Sequence, residues 1–492
     1  MTTTLRAEVA EAVEAAGLPE VLTAHVGGEF TARGGGTVLD VDDPATGAVV
    51  ARVETTSAER VAEAVVNAHE AFGGWAALAP VARGRLLAAA AAAIRRDGEL
   101  LARLESIDSG KPVSQARTDI EGSARYFEYY AGLADKIHGE VLSQPTGTFA
   151  YTRREPLGVV GHVTPWNAPL TQLARGVAPC LAAGNTVVVK PSELTPLTSV
   201  LLGRLLVEVG FPPGVCNVVL GPADPTGIAI TEHELVRHLT FTGSVAGGRA
   251  VGAVAARRII GVNLELGGKS PTIVCADADL DAAAKAGAQA VVRNSGQSCF
   301  ATTRLLVDRR VRDAFVERLA ARMGGLSVGH GLDDPDVGPL ISERQLERVV
   351  SFVDAARTEG AEVVVGGDQP GAGGRFVNPT LVAGVTNDMR VAREEIFGPV
   401  QSVLEFDTLE EGIALANDTE YGLSAGVFTC DVGVAHRVAE RLAAGQVQVN
   451  RYVGAGVEVP FGGYKNSGLG REKGTEAVHH YTQVKSVIMD IS

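Results

Sequence analysis

The stretch GVVGHVTPWNAPLTQLARGVAPCLAAGNTVVVK, residues 158–190, decides the fold. Its opening, Gly158-Val-Val-Gly-His-Val163, reads as a buried strand, residues 170–183 carry helical spacing, and residues 186–189 read as a second buried strand. The alternation continues with a helix over 199–209, a strand over 215–219, a helical stretch around Thr226, a strand over 238–241 and a helix over 246–256. Strands alternating with helices of about 10–15 residues predict a parallel sheet with right-handed crossovers. Ligands of such sheets lie beyond the carboxyl ends of the strands, so the segments directly after each strand are binding candidates. A second α/β series starts near Glu265, with strands over 272–274, 303–307 and 362–365 and helices over 280–292, 311–322 and 343–359.

Upstream, residues 5–16 predict a polar helix with Val9, Val13 and Ala16 on one stripe. Short strand-like runs follow at 25–30, 38–41 and 47–53, then Ala-rich helices at 57–75, 81–96 and 120–137. The tail, 481–491, reads as a strand with no obvious neighbour, a type often paired with another subunit or domain. The stretch Gly468-Leu-Gly-Arg-Glu-Lys-Gly474 does not follow a strand and reads as a loop.

Composition bounds the function. The 492 residues carry a net charge of −14, so a broad nucleic-acid surface is not expected, because phosphate neutralisation needs clustered cations. The longest apolar run, 86–94, falls short of the roughly 20 residues that span a bilayer. Residues 1–20 lack the basic and apolar regions of a signal peptide. The five cysteines are sparse, with no CxxC or nearby His pair, so neither a disulfide framework nor a metal site is expected. A cytoplasmic protein with reduced thiols is the reading that follows.

Cys299, in Asn294-Ser-Gly-Gln-Ser-Cys-Phe300, follows a helix of small residues on a Gly-containing turn. A thiol there can face backbone N–H groups, which would lower its pKa and make it a nucleophile. Cys180, Cys216, Cys275 and Cys430 sit in or beside apolar runs and read as small buried hydrophobes. Glu265, in Val262-Asn-Leu-Glu-Leu-Gly-Gly-Lys-Ser-Pro271, stands among leucines and glycines; desolvation would raise its pKa toward that of a general base. Taken alone, it is also a solvent-facing acid at a strand end. Asn167, in Thr164-Pro-Trp-Asn-Ala-Pro-Leu170, can donate to an oxyanion or stabilise its own turn. Lys190 and Glu193, in Val187-Val-Val-Lys-Pro-Ser-Glu193, could embrace a ribose diol or be solvated loop charges. Phe241-Thr-Gly-Ser-Val-Ala-Gly-Gly248 joins a strand to a helix through small residues that admit a pyrophosphate, though it is not GxGxxG.

Together these segments resemble the aldehyde dehydrogenase superfamily along nearly the whole chain. Pro-Trp-Asn167, Lys190-Pro-Ser-Glu193, Phe241-Thr-Gly-Ser244, Glu265-Leu-Gly-Gly-Lys269, Gly296-Gln-Ser-Cys299, Glu394-Glu-Ile-Phe-Gly-Pro399 and Pro460-Phe-Gly-Gly-Tyr-Lys465 occur in the family's order. The resemblance implies an α/β fold: a Rossmann-like cofactor domain (20–138 and 156–264), an α/β catalytic domain (265–457), a small β oligomerisation arm (139–155 and 471–492) and an N-terminal helix (1–19). It implies Cys299 as nucleophile, Glu265 as the base for hydrolysis and Asn167 as oxyanion donor. It carries cofactor roles onto Val163, Thr164, Pro165, Trp166, Lys190, Ser192, Glu193, Gly243, Ser244, Leu266, Gln345, Glu395 and Phe397.

The implied reaction oxidises an aldehyde to the acid through a cysteine thioester, with NAD favoured by Glu193 and NADP left open by Ser192 and Lys190. The arm implies a homodimer or homotetramer. Two rival functions are a CoA-acylating semialdehyde dehydrogenase, whose members generally lack the Glu265 base, and a catalytically silent protein on the same scaffold. The chain departs from the family at Ala223, where a glycine is common, and at Val245-Ala246, where Thr-Glu is frequent. Ala168, Arg175 and Ala455 replace frequent aromatics, which implies a wider substrate tunnel. There Arg175 would read a distal carboxylate or form a structural salt bridge, and Phe461 would be an aromatic wall.

Overall fold

The computed structural model describes residues 3–371, 373–452 and 455–492. The deciding segment forms strand Val159–Val163, helix Pro169–Ala182 and strand Thr186–Lys190. The β-branched run Val187-Val188-Val189 stiffens the second strand in the extended form. Its side chains alternate: Val187 and Val189 join the core under helices Pro169–Ala182 and Leu197–Glu208, while Val188 joins Val61, Ala64, Val65 and Ala68 of helix Ala58–Ala77 on the other face. Helices on both faces explain why the strand is apolar throughout.

Five parallel strands stand in the order Gly261–Glu265, Val236–Thr242, Val159–Val163, Thr186–Lys190 and Cys216–Val218. The chain adds strands outward from Val159–Val163 in one direction, then restarts on its other side with Val236–Thr242. This reversal opens a crevice at the carboxyl ends of the two neighbours, the place where such sheets hold ligands. Thr164 to Asn167 and Gly243-Ser244 emerge there.

A second sheet has seven strands in the order Glu362–Val365, Thr380–Ala383, Val400–Phe406, Arg304–Asp308, Pro271–Val274, Ser424–Phe428 and Gln446–Val449. Helices Leu280–Val292 and Arg312–Gly324 pack on one face, and Glu343–Thr358, Leu409–Asn417 and Val432–Arg441 on the other. A third, three-stranded sheet pairs Thr482–Asp490 with Thr148–Pro156, and that strand with Val141–Leu142.

Several expectations are corrected. The tail strand does have a neighbour in its own chain, in register from Thr482 opposite Pro156 to Asp490 opposite Thr148. Gly468–Leu469 is a strand rather than loop, pairing antiparallel with Gly261–Glu265 at the edge of the first sheet, opposite Glu265 and Leu264. The helix predicted over 120–137 runs from Val113 to Ala131. Helix Gly98–Ser109 escaped the reading because its buried positions include Glu105, Ser106, Asp108 and Ser109, which blurs the apolar period. Cys180, Cys216 and Cys275 are buried, but Cys430 is exposed. No single helix among the described residues is long and apolar enough to cross a membrane.

Candidate active site

Helix Leu280–Val292, capped by the Asp279 carboxylate on the N–H groups of Asp281 and Ala282, delivers the chain to the turn before Cys299. Asn294 and Ser295 adopt left-handed φ of 48° and 56°, and Gly296 follows at 71°. A side chain at Gly296 would meet the Gly398 carbonyl at 2.1 Å, so only glycine passes. Gln297 fixes the next step: its Nε2 donates to the carbonyls of Asn294 (3.2 Å) and Pro339 (3.3 Å), and its Oε1 accepts the Ile341 N–H (3.0 Å). Non-glycine residues hold such backbone only where their surroundings over-determine it.

Asn167, beyond the end of strand Val159–Val163, is buried and tied directly to this turn. Its Nδ2 donates to the Gln297 carbonyl at 3.0 Å, and Asn294 Nδ2 donates to the Asn167 carbonyl at 2.7 Å. An amide nitrogen carries two N–H donors, so one remains to meet an oxyanion. Glu265 ends strand Gly261–Glu265, buried, with Oε2 unbonded among the described residues. Burial holds its carboxyl well above the usual range, the neighbouring Glu472 adds to that, and Arg175 opposes it.

Cys299, Glu265 and Asn167 line one cavity of about 280 Å³. The thiol's proton affinity differs from the sequence expectation. Burial pushes the Cys299 pKa up to about 12, while Arg175 and the thiol's own backbone N–H act in the other direction. The turn supplies the N–H, but desolvation outweighs it.

Of the cofactor candidates, Pro165, Trp166, Gly243, Ser244 and Leu266 line the same cavity from the crevice side, and Gln345, Glu395 and Phe397 from the facing wall. Phe397, at φ 61°, meets the Trp166 ring edge-on at 5.1 Å. Gln345 Nε2 donates to the carbonyls of Ile396 (3.1 Å) and Phe397 (2.7 Å), fixing that turn. Glu395 Oε1 accepts the Gly268 N–H at 3.0 Å, and burial lifts its pKa to about 7. Ser244 caps helix Val245–Arg258, its Oγ accepting the Gly247 N–H at 3.2 Å.

Val163, Thr164, Lys190, Ser192 and Glu193 are outside this cavity, at the ends of the two adjoining strands. The Thr164 N–H donates to the Lys190 carbonyl at 3.0 Å. Lys190 Nζ donates to the carbonyls of Gly221 (2.7 Å) and Pro191 (2.8 Å) and meets the Glu193 carboxylate at 3.4 Å. The buried Thr164 hydroxyl has no bonded partner among the described residues. A dinucleotide fits this set: an aromatic pair and carboxylate at one end, a capped helix N-terminus between, and a Lys–Glu pair with an unspent hydroxyl at the other.

Arg175 does not line the cavity. It is buried in an ion pair with Glu472, its guanidinium 5.0 Å from the centroid of the Phe461 ring. The structural salt bridge is thus the role it fills. Phe461 is buried beneath it and meets Phe300 edge-on at 6.3 Å, and half-buried Ala168 caps helix Pro169–Ala182 without touching the cavity. The sequence reading missed Gln172, Thr242, Gly267 and Arg348 on the wall. Arg348 stands one helical turn after Gln345, and Thr242 and Gly267 adjoin named residues, so spacing could have found them.

The sequence profile described as the Aldehyde dehydrogenase family matches residues 30–487. An NAD-dependent aldehyde dehydrogenase from Sinorhizobium meliloti is 41% identical, covers 97% of this chain and 96% of its own, and superposes with a TM-score of 0.94. An aldehyde dehydrogenase from Bacillus cereus, solved as its NAD+ complex, is 39% identical over 100% of this chain and 99% of its own, at TM-score 0.95. Betaine aldehyde dehydrogenase from Staphylococcus aureus, also with NAD+, is 36% identical over 99% and 98%, at TM-score 0.96. The chain belongs to the aldehyde dehydrogenase family. It is an oxidoreductase acting on the aldehyde group, built on that family's α/β fold.

Proposed function

We propose that this chain oxidises an aldehyde to the free carboxylic acid with NAD+, using Cys299 as nucleophile, Asn167 as oxyanion donor and Glu265 as base. The observation that carries the reading is that these three side chains, from three separate segments, face one cavity. The Cys299 thiol gives up its proton to solvent and the resulting thiolate sulfur forms a bond to the aldehyde carbon while the carbonyl π pair moves to oxygen. The free Asn167 N–H and the Cys299 backbone N–H receive that oxyanion. A nicotinamide, when bound, supplies the acceptor for the hydride released as the C–O double bond re-forms. Trp166, Phe397 and Glu395 would hold that end, and Ser244, Lys190 and Glu193 the remainder. Glu265 then takes a proton from water as its oxygen attacks the thioester; the C–S bond breaks, and the acid leaves. A carboxyl with raised proton affinity suits that step.

Glu193 beside the ribose end would accept a diol and repel a 2′-phosphate, which favours NAD+ over NADP+. The exposed apolar residues of the arm, Val141, Val484 and Ile488, support assembly into a homodimer or homotetramer. A cytoplasmic location agrees with the unpaired cysteines. The test is an aldehyde panel read by NADH absorbance with both cofactors, with and without CoA. Acid formed without CoA is the expected product. Glu265→Gln is expected to give one NADH per thiol, then turnover slowed about 10²- to 10⁴-fold. Multiple fast turnovers by this variant would remove Glu265 from the role.

A further inference from the structure

The oxyanion donor and the sulfur stand on turns that end different elements, so something must set the distance between them. Helix Val113–Ala131 touches both turns through a polar stripe, Gln115, Asp119 and Ser123, spaced four residues apart. Gln115 grips the thiol turn on both sides of Arg293. Its Oε1 accepts the Asn294 N–H at 2.8 Å, and its Nε2 donates to the Val292 carbonyl at 3.3 Å. Asp119 holds Arg293 Nη2 at 3.2 Å and Lys111 Nζ at 2.7 Å, and its own carbonyl accepts the Thr171 hydroxyl at 3.0 Å. Thr171 lies in the first turn of the helix that follows Asn167. Lys111 also meets Glu105 at 2.8 Å, whose other oxygen accepts the Leu170 N–H at 3.2 Å. Both turns are therefore bolted to the same helix.

Within this network Asn294 is the joint. It is left-handed at φ 48°, and its Nδ2 reaches the carbonyls of Asn167 (2.7 Å) and Gln297 (3.1 Å). Its backbone N–H is satisfied by Gln115. We propose that Gln115 is a positioning residue, its side-chain amide setting the spacing between the Asn167 donor and the Cys299 sulfur. The inference rests on the catalytic roles proposed above.

The test uses the full chain with Gln115→Met, Gln115→Asn and Gln115→Glu. Turnover is normalised to titratable Cys299, and isotope effects are measured with a 1-deuterated aldehyde. Gln115→Met removes both hydrogen bonds to the thiol turn and a third, at 3.5 Å, to the Asp336 carbonyl; a shift of about 1 Å costs on the order of 10²-fold, so kcat per thiol falls by that order while the KM for NAD+ stays within about twofold. The NADH burst disappears and an isotope effect emerges, because formation of the thioester becomes slow. Gln115→Asn, one methylene short, falls between. Gln115→Glu keeps the acceptor for the Asn294 N–H and restores most of the rate.

A merely structural role would lower the number of active thiols and the melting temperature but leave kcat per thiol and the burst unchanged, and that result overturns the proposal. Should Gln115→Met not fold, equal burst and rate in Gln115→Asn and the parent overturns it as well. A parent chain that makes no NADH with any aldehyde defeats the catalytic reading itself, which separates the two failures.

Discussion

Replacing Glu472 by Gln removes one buried charge from behind the cavity and leaves the residues lining it in place. Arg175 and Glu472 form a buried pair with side-chain exposures of 7% and 2%. Deleting one partner of such a pair leaves an uncompensated buried charge and costs about 3–5 kcal/mol, so a lower melting temperature is expected. The more telling effect is on the thiol. With burial holding its pKa well above the ordinary thiol range, Cys299 is held as the thiol at pH 8. Arg175 is the first charge that opposes burial at that sulfur, and Glu472 is what neutralises Arg175. A buried unit charge near a titratable group shifts its pKa by on the order of one unit. Freed of Glu472, Arg175 should lower the thiol pKa by that order, and alkylation by iodoacetamide at pH 8 should quicken about tenfold or more. Glu265 loses a like charge at the same time, so its pKa falls. Because the base acts deprotonated, the acid limb of the kcat profile should move to lower pH. Alkylation no faster than in the parent, with the acid limb unmoved, would refute the electrostatic reasoning.

Cys299→Ala should abolish NADH formation from every aldehyde while NAD+ still raises the melting temperature, since the Trp166, Glu395 and Phe397 wall does not depend on the sulfur. Residual turnover would exclude Cys299 as nucleophile. Gly296→Ala should lower the melting temperature and remove the activity together: left-handed backbone costs an L-residue about 1–2 kcal/mol, and the added carbon would stand 2.1 Å from the Gly398 carbonyl. An alanine variant that melts and turns over like the parent would show that the turn is less tightly fixed than its contacts indicate.

The five-stranded parallel sheet was legible because its strands are short apolar runs punctuated by turn residues, and Asn167 and Glu265 stand at the ends of two of them, whereas Cys299 follows a helix of small residues. What stayed hidden depends on distant partners. Arg175 has charge and helical position in sequence, but nothing local ties it to Glu472, which arrives on a segment that itself looked like loop. Gly468–Leu469 gives too few residues for a periodic signal and becomes a strand only because Leu264 and Glu265 present an open edge. The Cys299 proton affinity was misjudged for a related reason. Nearby N–H groups can be guessed from a turn, whereas the depth of burial that outweighs them is a property of the assembled walls. The helix Gly98–Ser109 shows the same limit, since its buried acids are solved by Lys111 and by backbone N–H groups far along the chain.

The edge strand has a consequence for biosynthesis. Glu265 leaves the ribosome about 200 residues before Gly468, the residue that pairs with it across the sheet edge. At roughly 5–20 residues per second, that interval lasts about 10–40 s, during which the nascent chain carries the base and soon the thiol without the charge that balances Arg175. Catalytic competence thus waits on the segment around Gly468, and a ribosome stalled before it would display a half-built pocket rather than a working one.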